Sequence, residues 1–172
     1  MLVILLFVLI ARPDPNEAAL DTGEPDLFEA VATGVTSDGV VTLASGAEVH
    51  LLGVQLPTAD DPTAVRAAAI RGLDRIMRGR RVRVEFDPVL PSRMQEGLPQ
   101  MTAYVWLLND EGQRRGMANA MLISRGLARP VTRLGYRHQA QFLEAARLAQ
   151  SRAEGVWQPQ PQALPQGLPV AF

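Results

Sequence analysis

The chain contains no cysteine and no lysine. Lacking cysteine, it can form no disulfide, thiolate metal site or cysteine nucleophile, and its 172 residues must bury a core without covalent staples. That absence leaves the compartment open, because a domain of this size folds without disulfides on either side of a membrane. All 17 basic residues are arginines, which reads as compositional bias rather than chemistry. Aromatic residues make up 5%, thin for a protein that stacks successive bases of a single strand. The apolar run Leu2 to Ala11 has ten residues, whereas a helix needs about 20 to span a bilayer.

That run has the character of a signal-peptide core or a membrane anchor, although no basic segment precedes it and no small-residue cleavage site follows. Export to the periplasm or membrane attachment through residues 1–11 is therefore the expectation, with a buried N-terminal strand as the alternative. Residues 12–28 are rich in proline and acids and read as a linker. Residues 12–29 carry six acids against Arg12, leaving 16 arginines and 12 acids over residues 30–172, a net of +4. A mildly basic body is compatible with a polyanionic partner without requiring one.

From Glu29 onward, short runs rich in valine and leucine alternate with turn residues. Strands are expected over 29–35, 40–43 and 48–54, separated by Ser37-Asp38-Gly39 and Ala44-Ser45-Gly46-Ala47. Val65, Ala68, Ala69, Leu73, Ile76 and Met77 recur at helical spacing, so a helix is expected over 64–77, capped by Asp61 ahead of Pro62 and ended by Gly79. A fourth strand over 81–86, a proline-bearing loop over 88–99 and a fifth strand over 101–108 follow, then helices over 118–127 and 138–154. Residues 159–172 form a Pro/Gln-rich tail. Five strands with a helix after the third and helices at the end give an α+β class, with a five-stranded OB-fold barrel and about three helices.

Four segments carry a more specific likeness. Val41 to Pro57 runs without a gap along a strand, a turn and Val49-His50-Leu51-Leu52-Gly53-Val54-Gln55-Leu56-Pro57. Ala103-Tyr104-Val105, the stretch from Asn119 to Gly126-Leu127-Ala128, and Gly155-Val156-Trp157 follow in order. Together they resemble staphylococcal-nuclease-like domains over residues 29–158. The resemblance implies a domain that hydrolyses DNA or RNA with calcium held by two Asp, a Glu that activates water and two Arg that stabilise charge on phosphorus.

Carried over residue by residue, that chemistry is missing. The first metal Asp falls on Gly39, with Asp38 one residue early, and the first Arg falls on His50. The second metal Asp falls on Gln55, the Glu on Thr58 and the second Arg on Gln100, with Pro99 before it. A site with neither carboxylate has no evident way to hold calcium, so no catalytic residue and no metal or other cofactor is expected.

Several residues keep two readings. His50 can serve acid–base or phosphate-binding work, as histidine side chains do, or simply be a polar strand residue. Gln55 and Gln100 can floor a neutral cleft or be unselected substitutions. Asp60 and Asp61 can supply substitute carboxylates or serve the helix start. Arg75, Arg78, Arg80, Arg81 and Arg83 can contact phosphates or form a solvated helix end and outer strand face. Tyr104, Trp106 and Trp157 read as core or domain-closing residues, and Tyr136 as the one exposed stacking platform. The favoured expectation is a monomeric, catalytically inactive module binding nucleic acid or a protein. A weak or altered phosphodiesterase using His50 and the Asp60/Asp61 loop is the alternative.

Overall fold

A computed structural model describes residues 27–58, 61–90 and 100–158. The apolar run, most of the acidic linker, Asp60, much of the proline loop and the Pro/Gln tail lie outside the described residues.

Strand β1 (Leu27–Val35) alternates faces, with Phe28, Ala30, Ala32 and Gly34 less exposed than Leu27, Glu29, Val31 and Thr33. It starts two residues before the expected domain boundary, so Leu27 and Phe28 belong to the sheet and not to the linker. β2 (Val41–Leu43) and β3 (Glu48–Leu51) follow as hairpin partners. The short β4 (Val54–Gln55) leaves this sheet and pairs instead with β8 (Arg129–Pro130).

Helix α1 (Thr63–Met77) buries Ala69, Leu73, Ile76 and Met77, the stripe given by its apolar spacing. Gly79, at φ +72°, turns the chain away and donates its N–H to Ala32 O. The start differs from expectation. Asp61 does not cap α1; its carboxylate takes the Thr58 N–H and Arg129, and Pro62 O accepts from Val65 and Arg66.

β5 (Arg80–Glu85) and β6 (Gln100–Leu108) are antiparallel neighbours, and β5 also pairs with β1. β6 runs parallel to β3, with Val49 opposite Met101. These pairings close β1, β2, β3, β6 and β5 into a ring, and β7 (Arg114–Met117) adds a sixth strand on β6. The fold is thus a barrel-like α+β structure, with three α-helices among the described residues. Ala32, Val41, Val49, Val82, Val84 and Val105 have no exposed surface and fill the ring.

α2 (Ala118–Ser124) and α3 (Gln139–Ser151) pack on each other at the C-terminal end, before a 3₁₀ turn at Gly155–Trp157. β7 and β8 were not expected from the sequence; they lie between the expected elements, in stretches given no assignment. No helix among the described residues is long and apolar enough to cross a membrane.

Candidate functional site

The Ser37-Asp38-Gly39 turn joins β1 to β2, with Gly39 at φ +83° donating its N–H to Thr36 O. A Cβ on Gly39 would overlap Leu56 Cδ1 and lie 3.2 Å from Ile70 Cδ1. The position that the resemblance gives to the first metal Asp is therefore packed by two apolar side chains. Asp38 does not substitute for it: its side chain is 79% exposed and, among the described residues, pairs with Arg66 at 3.5 Å.

His50 lies on β3 between the buried Val49 and Leu51, opposite Thr102 of β6. Strand parity therefore turns it to the outside of the barrel. Its Nε2 is enclosed and has no hydrogen-bond partner among the described residues. Gln55 is exposed on β4, opposite Arg129, beside a groove shared with Arg129, Arg147 and Trp157. His50 and Gly39 are not among the residues lining that groove. Gln100 opens β6 opposite Glu48.

Thr58 is exposed, and its N–H donates to Asp61 Oδ2 at 2.9 Å. Arg129 holds the other oxygen of Asp61 at 3.1 Å, donates to Val156 O and lies over the Trp157 ring. The Thr58 N–H and the Arg129 guanidinium together hold the Asp61 carboxyl below its usual range, against the cost of burial. Asp61 is thus tied to the domain's closing turn, with neither oxygen left unpaired.

The run of arginines does not act as one patch. Arg78 makes a two-pronged pair with Asp74 at 2.7 and 2.9 Å. Arg81 and Arg83 reach Glu29 across the β1–β5 pair, at 3.2 and 2.6 Å. Arg80 shares the opposite face of β5 with the inward-facing Val82 and Val84. Arg80 is thereby turned away from Arg81 and Arg83, while Arg75 shares a surface pocket with Arg78 and Asp74.

Two buried carboxylates form a network not expected from the sequence. Glu85, 2% exposed, accepts from Trp106 Nε1 at 2.8 Å and pairs with Arg114 at 3.1 Å and Arg137 at 3.4 Å. His138 approaches the same carboxylate at 3.8 Å. Asp87, 3% exposed, accepts from Tyr104 Oη at 2.5 Å and from the N–H groups of Val89, Leu90 and Arg137. The one available signal was Glu85 itself, an acid at the end of an alternating strand, followed two residues later by another acid.

Burial alone would raise the Asp87 carboxyl, but the hydrogen bonds from Tyr104 and the three backbone N–H groups outweigh it and hold the group below its usual range. Burial, and then the Asp87 charge, push the Tyr104 phenol up. Because the Asp87 pKa is lower in the folded than in the unfolded protein, its contribution is complete above the unfolded value of about 3.9 and is lost as pH falls through the folded value. Urea midpoints should therefore fall steeply below about pH 4, and Asp87→Asn should be less stable at pH 7 with a flatter acid limb. An unchanged acid limb in Asp87→Asn would remove this assignment.

Tyr136 is not a stacking platform. It is 7% exposed, its Oη donates to Val131 O at 2.9 Å, and burial pushes its phenol up to about 12. A Cβ on Gly53 would lie 2.7 Å from its ring, so close packing against the chain after β3 explains the burial. Tyr104 is fully buried, and Trp106 and Trp157 are partly buried, as read from the sequence. Among the described residues, no three His, Asp or Glu side chains gather in a metal-holding group. The chain matches no protein-family model and no curated protein.

Proposed function

We propose that this chain is a non-hydrolysing relative of staphylococcal-nuclease-like domains, an OB-type barrel that works as a binding module for nucleic acid or protein. The observation that carries this reading is the packing of Leu56 and Ile70 against Gly39. A carboxylate at position 39 would have to displace the half-buried Leu56 side chain, so the change from the family pattern involves the neighbouring apolar side chains as well as the missing acid. The OB assignment is supported by the strand ring, in which the third strand lies parallel to the last and α1 follows the third strand and the two-residue β4. The altered phosphodiesterase is disfavoured because Asp61 is already engaged by Thr58 and Arg129.

Loss of one charge-stabilising group typically lowers such a rate by about 10²–10³, and here each family position is changed. The full chain, incubated with single-stranded DNA and RNA and millimolar calcium or manganese, should release no fragments. Calcium titration should produce neither binding heat nor a shift in melting temperature. Cleavage that His50→Ala abolishes would overturn the proposal, as would a saturable calcium site. Anisotropy of labelled strands at two salt concentrations then separates the partner classes, since binding to phosphates weakens steeply with salt. The same reading keeps the chain monomeric and exported or membrane-attached through residues 1–11.

A further inference from the structure

Four arginines from different parts of the chain line one cavity of about 310 Å3. Arg75 comes from the last turn of α1, Arg80 from the start of β5, Arg115 from β7 and Arg125 from the residue after α2. The cavity includes Leu107 and Leu108, at the far end of β6 from Gln100. Along β6, eight residues of strand, roughly 26 Å at full extension, lie between Leu108 and Gln100.

The described residues include 15 arginines, of which nine make ion pairs with Asp or Glu. Of the six that do not, four line this cavity and only Arg71 and Arg133 lie elsewhere. None of the four has a side-chain hydrogen bond among the described residues, and no acid belongs to the lining. Strand parity produces the arrangement: Arg81 and Arg83 turn to Glu29 while Arg80 turns the other way. On β7, Arg114 is taken by Glu85 and the Trp106 ring, and its neighbour Arg115 faces the cavity.

Four guanidinium groups around one concavity repel one another, and no Asp or Glu among the described residues forms an ion pair with them. A guanidinium also offers a planar pair of donors that fits phosphoryl oxygens bidentately. The cavity is not purely polar, because Ile76, Leu107, Leu108 and Met121 form part of its wall. Its volume is at the small end of the range for organic ligands, and its four cations come from four different elements around a half-open cavity.

We propose that this cavity binds a small organic polyphosphate, with the phosphates on Arg75, Arg80, Arg115 and Arg125 and an apolar ring against Ile76, Leu108 and Met121. Nucleoside di- and triphosphates are the class that combines these parts. The site is independent of the nuclease-like reading, since none of its residues belongs to that alignment's catalytic positions.

Titrating the full chain with ATP in the absence of divalent metal should give one saturable site, with pyrophosphate binding more weakly and adenosine more weakly still. Arg80→Ala with Arg115→Ala should weaken ATP binding by about 30-fold or more, the loss expected for two charge-assisted contacts at a partly exposed site. Arg75→Gln with Arg125→Gln should have the same effect, so a folding defect in one pair would not hide the result. Arg71→Ala with Arg133→Ala, which removes two unpaired arginines outside the cavity, should change it less than about 2-fold. Failure of ATP to bind at 1 mM would overturn the proposal, as would equal losses in the control pair. It is also overturned if a single-stranded oligonucleotide outcompetes ATP and loses its own affinity in the cavity variants, which would make this a strand-binding surface.

Discussion

Gly126→Ala should lower stability by about 3 kcal/mol and the melting temperature by roughly 10 °C. Gly126 ends α2 at φ +64°, with its own N–H on Ile123 O and the Leu127 N–H on Leu122 O, the paired bonds of a glycine-terminated helix. A left-handed residue with a Cβ costs about 1 kcal/mol at such a position. The larger part comes from the neighbouring chain. A Cβ on Gly126 would overlap the carbonyl oxygen of Glu154 and lie 2.6 Å from its carbon. Gly155 is equally enclosed, since a Cβ there would overlap Gly126 O, which also accepts the Val156 N–H at 2.8 Å.

The end of α2 and the closing turn therefore approach backbone to backbone, and a methyl group on either side forces them apart. Gly46→Ala isolates the local cost: φ is +83° there, with nothing within 4 Å of the added Cβ. It should lose only about 1 kcal/mol. Thermal unfolding of the two variants tests the comparison. If Gly126→Ala melts no lower than Gly46→Ala, the close approach does not hold the closing turn.

Asn119→Leu should cost a further order of about 3 kcal/mol, read as a fall in urea midpoint without a change in slope. Asn119 has no exposed surface. Its Oδ1 accepts the Val105 N–H at 3.0 Å, and its Nδ2 donates to Leu52 O at 2.9 Å and Ala103 O at 3.3 Å. One side chain thus ties β6 to the turn that follows β3. Leucine keeps the branching and the number of heavy atoms, though with bulkier methyl groups, while leaving the Val105 N–H and Leu52 O without this partner, at about 1–3 kcal/mol per group. Ala103 O is less affected because the Leu52 N–H also donates to it. A change below about 1 kcal/mol would mean that water or a backbone shift replaces these bonds.

Asn119 and Gly126 stood out in the sequence as the two ends of one motif, and Gly155 as part of another. Their roles arise between motifs, from the Asn119 bridge to Leu52 and the contact of Gly126 with Gly155. The regular elements were more legible. The α1 stripe placed a helix over 64–77, observed as Thr63–Met77, and the alternation over 81–86 appears as Arg80–Glu85. β8 escaped notice because it has two residues, one of them Pro130, and exists only through pairing with β4. β7 carries Arg114 and Arg115 with a single buried residue, Met117, so no apolar alternation marks it.

The candidate sites divide in the same way. Residue identity alone determined that Gly39, His50, Gln55, Thr58 and Gln100 do not supply the side chains the resemblance calls for. Apolar period and turn residues likewise determined most helices and strands, because those preferences act over a few neighbouring residues. Only the tertiary structure decided that Leu56 and Ile70 pack over Gly39, that Asp61 pairs with Arg129, and that Tyr136 is buried. It also divided the arginines, pairing Arg81 and Arg83 with Glu29 while Arg75 and Arg80 meet Arg115 and Arg125. Pairing, burial and charge neutralisation depend on which distant segments meet, and local composition does not encode that.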